Sequence, residues 1–204
     1  MSFSSSAIPI TVYVAIALFF VKESLDYIKK VKAKRRELSA IKVIISRECK
    51  PNLKCLESIE IILNNIKYSQ DAELTIQIQK QDNSAYLFDY TVEYGSGSIS
   101  SAMELPPVKK HYIDKFFSDS SLLDPVLFKK ITRVIDNLAI LEDFSIRLIE
   151  VITKKDDKNI SFKARVNGFE RLYNEKSIEI EGALNDLYFY CTGKELTRSL
   201  FPKC

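Results

Sequence analysis

From Ala7 to Val21 the sequence reads Ala-Ile-Pro-Ile-Thr-Val-Tyr-Val-Ala-Ile-Ala-Leu-Phe-Phe-Val, with no charged side chain and nothing more polar than Thr11 and Tyr13. As a helix these residues span only ~22 Å, at ~1.5 Å per residue. The charge-free Met1–Ser6 ahead of them brings the segment to the roughly 20 residues that a hydrocarbon core requires. A secretory signal peptide places positive charge before its apolar run and small residues after it, whereas here Lys22 and Glu23 follow directly. A buried core helix carries strongly polar residues every few positions, and this run has none. The expectation is a transmembrane helix over 7–22 with a short extracytoplasmic head, 1–6.

Charge gives the orientation. Lys22, Lys29, Lys30, Lys32, Lys34, Arg35 and Arg36 stand against Glu23 and Asp26, so this stretch carries +5. The chain totals +3 and residues 1–21 contribute nothing, leaving about −2 for 37–204. Basic residues flanking a span stay on the cytoplasmic side, and here all of them follow it. The sequence thus predicts a single-pass protein of the cell membrane, N-terminus outside and C-terminus cytoplasmic. Residues 23–37 form a basic juxtamembrane helix, in which Lys29, Lys30, Lys32, Lys34, Arg35 and Arg36 face anionic lipid headgroups. Each is worth about 1 kcal/mol close to such a surface. The rest of the chain lacks the broad positive face that nucleic acid demands, so no nucleic-acid partner is expected.

Residues 38–204 read as a cytoplasmic helical domain. Leu38, Ile41 and Ile45, then Leu53, Leu56, Ile59, Leu63 and Ile66, recur at three- and four-residue steps, the stripe of an amphipathic helix. Pro51 is expected to kink or split it, and Gln70-Asp71 to end it. Leu74, Ile76 and Ile78 alternate with polar residues. After Asp82-Asn83, so do Tyr86, Phe88, Tyr90, Val92 and Tyr94. Two alternating runs around a polar turn predict a β-hairpin inserted at about 73–94. Gly95 to Pro107 reads as a flexible connector.

Asp124-Pro125 is an N-cap followed by proline at the first helical position. Leu127, Ile131, Val134, Leu138, Leu141, Phe144, Leu148 and Ile152 follow on one face. Lys154 to Asn159 is a polar turn. A last helix carries Phe162, Val166, Phe169, Tyr173, Ile180, Leu184, Leu187 and Cys191, with Gly193 placed to end it. The fold class is mainly α with a small β-hairpin: an N-terminal transmembrane helix continuing into an antiparallel helical bundle.

No phosphate loop, dinucleotide turn, nucleophile elbow or zinc-protease helix occurs, and five glycines leave little to build one from. Cys49, Cys55, Cys191 and Cys204 lack zinc or redox spacing, and read as reduced thiols packed as small apolar groups. His111 and Asp114 lie one turn apart, a pair with no further ligands around it. Glu179 and Glu181 fall on different helix faces and, with Asp186, read as a solvated surface. Asn159-Ile160-Ser161 matches a glycosylation acceptor that a cytoplasmic domain would never present to the enzyme. No catalytic residue, metal ligand or cofactor is therefore assigned.

The aromatic face of the hairpin, Tyr86, Phe88, Tyr90 and Tyr94, either packs on the bundle or stays partly open as a surface for a protein partner, since tyrosines bury area while keeping a hydroxyl wet. The function these features permit is a membrane-anchored cytoplasmic interaction or regulatory protein without catalytic activity. Two alternatives are a membrane-tethered effector of the toxin or phage-exclusion type and an enzyme with an unrecognised site.

Overall fold

The computed structural model describes residues 10–68, 73–94, 97–154 and 161–198. The predicted head at 1–6, the first residues of the predicted span, the break at 70–71, Gly95-Ser96, Asn159 and Cys204 lie outside the described residues, as does the side chain of Tyr94. The element order is α1 (Ile10–Tyr68), β1 (Glu73–Lys80), β2 (Tyr86–Tyr94), β3 (Gly97–Leu105), α2 (His111–Lys115), α3 (Phe117–Leu123), α4 (Pro125–Thr153) and α5 (Phe162–Thr192). The protein is mainly helical with one small antiparallel sheet. Contacts divide it into two units, Met1–Ile41 and Lys42–Cys204.

The described part of the first unit is helical throughout. Among the described residues no helix is long and apolar enough to cross a membrane. The reason is local. The charge-free part of α1 ends at Val21, and a bilayer-length stretch starting at Ile10 takes in Lys22, Glu23 and Asp26. The twelve residues from Ile10 to Val21 rise ~18 Å, against the ~30 Å of a hydrocarbon core.

In the second unit three long helices build the core. Along α4 and α5, Arg133 meets Asp186 while Phe144 meets Phe169 and Tyr173, so the two run antiparallel. On α1, Lys67 meets Glu170 and Leu56 meets Tyr173, so α5 is antiparallel to α1 as well. The apolar stripes read from the sequence supply the interior. Ile45, Leu53, Leu56, Ile59, Leu63 and Ile66 are buried, and so are all eight residues from Leu127 to Ile152. Phe144 sits edge-on to Phe169 and Tyr173 at 5.7 and 5.6 Å, and the Tyr173 hydroxyl donates to the Leu56 carbonyl at 2.8 Å. A buried phenol thereby keeps its polar end paired.

Both ends of the helical signals behave as read. Asp124 Oδ1 accepts from the N–H groups of Val126 and Leu127 at 3.1 Å, with Pro125 at the first helical position. Gly193 closes α5 at φ 70°, left-handed backbone that a side chain would strain.

Two expectations need correction. Of the two outcomes expected at Pro51, a kink or a split, the split does not occur: α1 is one helix from Ile10 to Tyr68. The proline removes a backbone donor, but the side chains on either side are fastened. Asn52 is fully buried and exchanges both amide bonds with Lys109: its Nδ2 donates to the carbonyl at 2.6 Å, and the Lys109 N–H donates to its Oδ1 at 2.7 Å. One turn earlier, Glu48 accepts from the N–H groups of Tyr112 and Ile113 at 3.0 and 2.9 Å. Tertiary bonds hold the helix across the lost one.

The second correction is a third strand. Residues 97–105, expected as connector, pair antiparallel with β2 from Tyr94↔Gly97 to Tyr86↔Leu105, giving the order β1-β2-β3. Ser-rich sequence has weak strand propensity, but pairing to a formed hairpin overrides it. Pro106, with no N–H to give, stands directly after it. Between β1 and β2 the Gln81 N–H donates to the Ala85 carbonyl at 2.8 Å, Asn83 Oδ1 accepts from Ala85 N–H, and Ser84 takes φ 64°.

Candidate membrane-facing segment and polar clusters

The exposed apolar residues of α1 begin at its first described turn. Ile10, Val12, Tyr13, Val14, Ile16, Leu18, Phe19, Phe20 and Val21 are all between 42% and 79% exposed. At ~100° per residue they surround the helix rather than marking one side. A shallow groove of about 570 Å³ between Thr11, Ala15, Phe19 and their neighbours is the relief of a single helix surface. The cations that follow have the same all-round distribution. Lys29, Lys30, Lys32, Lys34, Arg35 and Arg36 are exposed and form a collar; Lys29 lies 3.9 Å from Asp26.

The hairpin aromatics are placed otherwise than a partner surface requires. Phe88 is fully buried and Tyr90 is 2% exposed, their rings stacked at 6.5 Å. Tyr86 is half-buried. Packing on the domain has taken two of the four positions, and neither can be part of an open face. The Tyr90 hydroxyl has no hydrogen-bond partner among the described residues.

The polar clusters that sequence reading missed are held between helices. Lys42 of α1 lies 3.2 Å from Asp124 Oδ2, the Tyr190 hydroxyl donates to the same oxygen at 2.7 Å, and the Lys42 ammonium sits 4.1 Å from the Tyr190 ring centre. Burial favours the neutral acid at Asp124, but the bonds from Tyr190, Leu127 N–H and Lys42 outweigh it and hold the carboxyl below its usual range. Burial, then the bond to Asp124, pushes the Tyr190 phenol up. Both carboxylate oxygens are occupied and the phenol keeps its proton, so the trio is a clamp at the start of α4, not an acid–base pair. Only the N-cap role of Asp124 was visible in the sequence.

A second clamp joins the segment after α5 to two helices. Arg198 donates to Glu181 from Nε at 3.0 Å and Nη2 at 2.5 Å, and to Glu60 from Nη1 at 2.7 Å. Beside it a cleft of about 260 Å³ is lined by Lys50, Lys54, Tyr188, Leu196 and Arg198. Its cations are engaged: Lys54 faces Glu104 at 3.8 Å and Lys50 the Tyr188 ring at 5.8 Å. A similar cleft of about 280 Å³ holds Lys129, Lys130 and Arg133, with Asp186 3.2 Å from Arg133 and 4.0 Å from Lys130. Neither cleft joins a nucleophile to a base.

The remaining sequence candidates separate. His111 and Asp114 are exposed on α2, and among the described residues no group of three His, Cys, Asp or Glu could hold a metal. Glu179 pairs with Lys176, Glu181 shares Arg198 with Glu60, and Asp186 lies beside Arg133 and Lys130, so the three carboxylates do not converge on one another. Cys49 and Cys55 are buried free thiols and Cys191 is half-buried. Burial pushes the thiols of Cys55 and Cys191 up to about 11 and that of Cys49 higher still, so none is a thiolate near neutral pH. Comparison with protein-family models, with characterised proteins and with solved structures finds no match.

Proposed function

We propose that the chain is a membrane-anchored interaction or regulatory protein, without catalytic activity, whose N-terminal segment enters a bilayer and whose residues from Lys42 onward form a cytoplasmic binding domain. The observation that carries this reading is the distribution of exposure along α1: apolar on all sides from Ile10 to Val21, then cationic on all sides from Lys29 to Arg36. A helix lying on a membrane surface keeps one polar face, with its cations along that face. A helix entering end-on has an apolar collar in the lipid and a cationic collar at the headgroups. The cations that follow the apolar collar set the orientation, with the N-terminus outside. The six exposed cations are worth about 1 kcal/mol each near an anionic leaflet.

The test is extraction and flotation of the full chain beside a form lacking residues 1–22. The full chain is expected to resist alkaline extraction from membranes and to float with vesicles containing anionic lipid. The shortened form should move to the soluble fraction, held only by a salt-sensitive remnant through Lys29 to Arg36. Equal extraction of the two forms would overturn the anchor. A reporter that works only outside the cytoplasm, fused after Cys204, is expected to stay silent.

A further inference from the structure

The cleft between α4 and α5 holds more positive charge than its own walls neutralise. On the α4 side stand Lys129, Lys130 and Arg133, with Val126 as an apolar rim; on the α5 side stand Asp186 and Ala183. Ala183 is buried, and its small side chain leaves about 280 Å³ open between the helices. Lys67, Lys110 and Lys176 each have a carboxylate of their own, on Glu170, Glu142 and Glu179. Here Arg133 and Lys130 share one oxygen of Asp186, at 3.2 and 4.0 Å, and Lys129 has no ion-pair partner among the described residues. Three cations against one carboxylate leave the lining at +2. Lys129 and Arg133 stand four residues apart on one helix, a spacing at which like charges destabilise. An anion in the cleft removes that repulsion.

We propose that this cleft binds a phosphomonoester group through Lys129, Lys130 and Arg133. Charge and shape both select it. A phosphomonoester carries about −2 near neutral pH and presents three acceptor oxygens, matching the excess charge and the three donors. A carboxylate brings half that charge and two oxygens. The guanidinium fork of Arg133 suits paired phosphate oxygens, and Lys130 is steadied by the Tyr190 ring, 5.8 Å away. Val126 is 52% exposed and offers apolar surface to the carbon atoms beside the ester. The volume lies just below the ~300 Å³ at which pockets for whole drug-sized ligands begin, so only the phosphate and its nearest atoms enter. The first N–H groups of α4 take no part, since Asp124 already accepts from Val126 and Leu127. Every lining residue belongs to the second unit, so the site does not depend on the membrane reading.

Phenyl phosphate is the probe, titrated calorimetrically into the full chain in uncharged detergent at about 0.15 M salt, where loose surface attraction is screened. A single saturable site is expected, with weaker binding of benzenesulfonate, the same ring bearing one charge. Lys129→Gln and Arg133→Gln should each weaken phenyl phosphate by about tenfold or more, the worth of one charge-assisted hydrogen bond. Lys176→Gln, outside the cleft, should leave it unchanged. Lys129 is exposed, so its variant keeps the fold, as unchanged thermal melting will verify. Micelles doped with phosphatidic acid, whose headgroup is a phosphomonoester, separate the two sources of the group. The phenyl phosphate heat disappears where a lipid headgroup reaches the cleft and persists where the ligand is diffusible; the site stands in both cases. Absence of saturable heat in undoped micelles, equal affinity for the sulfonate, or unchanged binding by Lys129→Gln would each overturn the proposal.

Discussion

Phe88→Ala measures whether the hairpin belongs to the core. The Phe88 side chain is fully buried and lies over Tyr90 with ring centres 6.5 Å apart and planes 18° from parallel. A buried phenyl ring removes about 150 Å² from water, which at ~25 cal/mol per Å² is about 4 kcal/mol, less what the alanine methyl retains. The unfilled space and the lost ring contact add back a comparable amount, so the expected loss is about 3–5 kcal/mol. Leu122→Ala is the internal control: Leu122 is 84% exposed, and its loss should stay within about 0.5 kcal/mol. Urea unfolding of the full chain, followed by far-ultraviolet dichroism and by tyrosine emission in this tryptophan-free protein, gives both numbers. A Phe88→Ala loss below about 1 kcal/mol would refute the placement of the ring in the core and return the hairpin's aromatic face to the list of partner surfaces.

Two further outcomes follow from polar groups held by the fold. Tyr90→Phe is expected to stabilise the protein by about 1 kcal/mol in the same urea assay, because it removes a buried hydroxyl that has no partner among the described residues; a loss of that size would mean the hydroxyl is bonded. At Asp124 the folded carboxyl lies below its ordinary value, so its contribution is fully present above pH ~4 and is lost as the pH falls through the lower folded value. Asp124→Asn keeps the helix cap but not the charge, and should flatten the acid limb of the stability–pH curve there. An unchanged limb would show that Lys42 and Tyr190 do not act on this carboxylate.

Periodicity made the helices legible because each stripe coincides with the face that packs. All eight apolar positions named on α4 are buried, and Asp124-Pro125 and Gly193 mark their helix ends through backbone geometry that few other residues satisfy. β3 was hidden because its strand signal, Ile99, Met103 and Leu105 on one face, is interrupted by Ser101 and diluted by serines that favour turns. Its structure comes from β2, not from its own preference. Pro51 does not split the helix, for the converse reason: the local cost of a proline is real, but Glu48 and Asn52 bind a segment about sixty residues away, which no local pattern announces. The same limit hid the Lys42–Asp124–Tyr190 and Arg198 clamps. Of the candidate site, composition revealed the apolar and cationic collars, while burial of Phe88 and Tyr90 depended on contacts that alternation does not specify.

The Glu48–Asn52 ladder also decides what kind of mechanical part the second half of α1 is. Its two rungs are chemically unlike: Glu48 only accepts, and meets two N–H donors, while Asn52 gives and takes one bond each with a single peptide unit. Helices that ratchet past their neighbours by one turn, ~5.4 Å, need equivalent seats at both stops. Here a one-turn slip would carry Asn52 to the two N–H groups that Glu48 serves, where its Nδ2 donor finds no acceptor, or carry Glu48 to the Lys109 carbonyl, where two acceptors meet. Each stop but the observed one leaves mismatched polar groups in the interior, at about 1–3 kcal/mol for every group stranded. This stretch of α1 is keyed to its groove as a fixed post, and any movement of the domain has to occur around it.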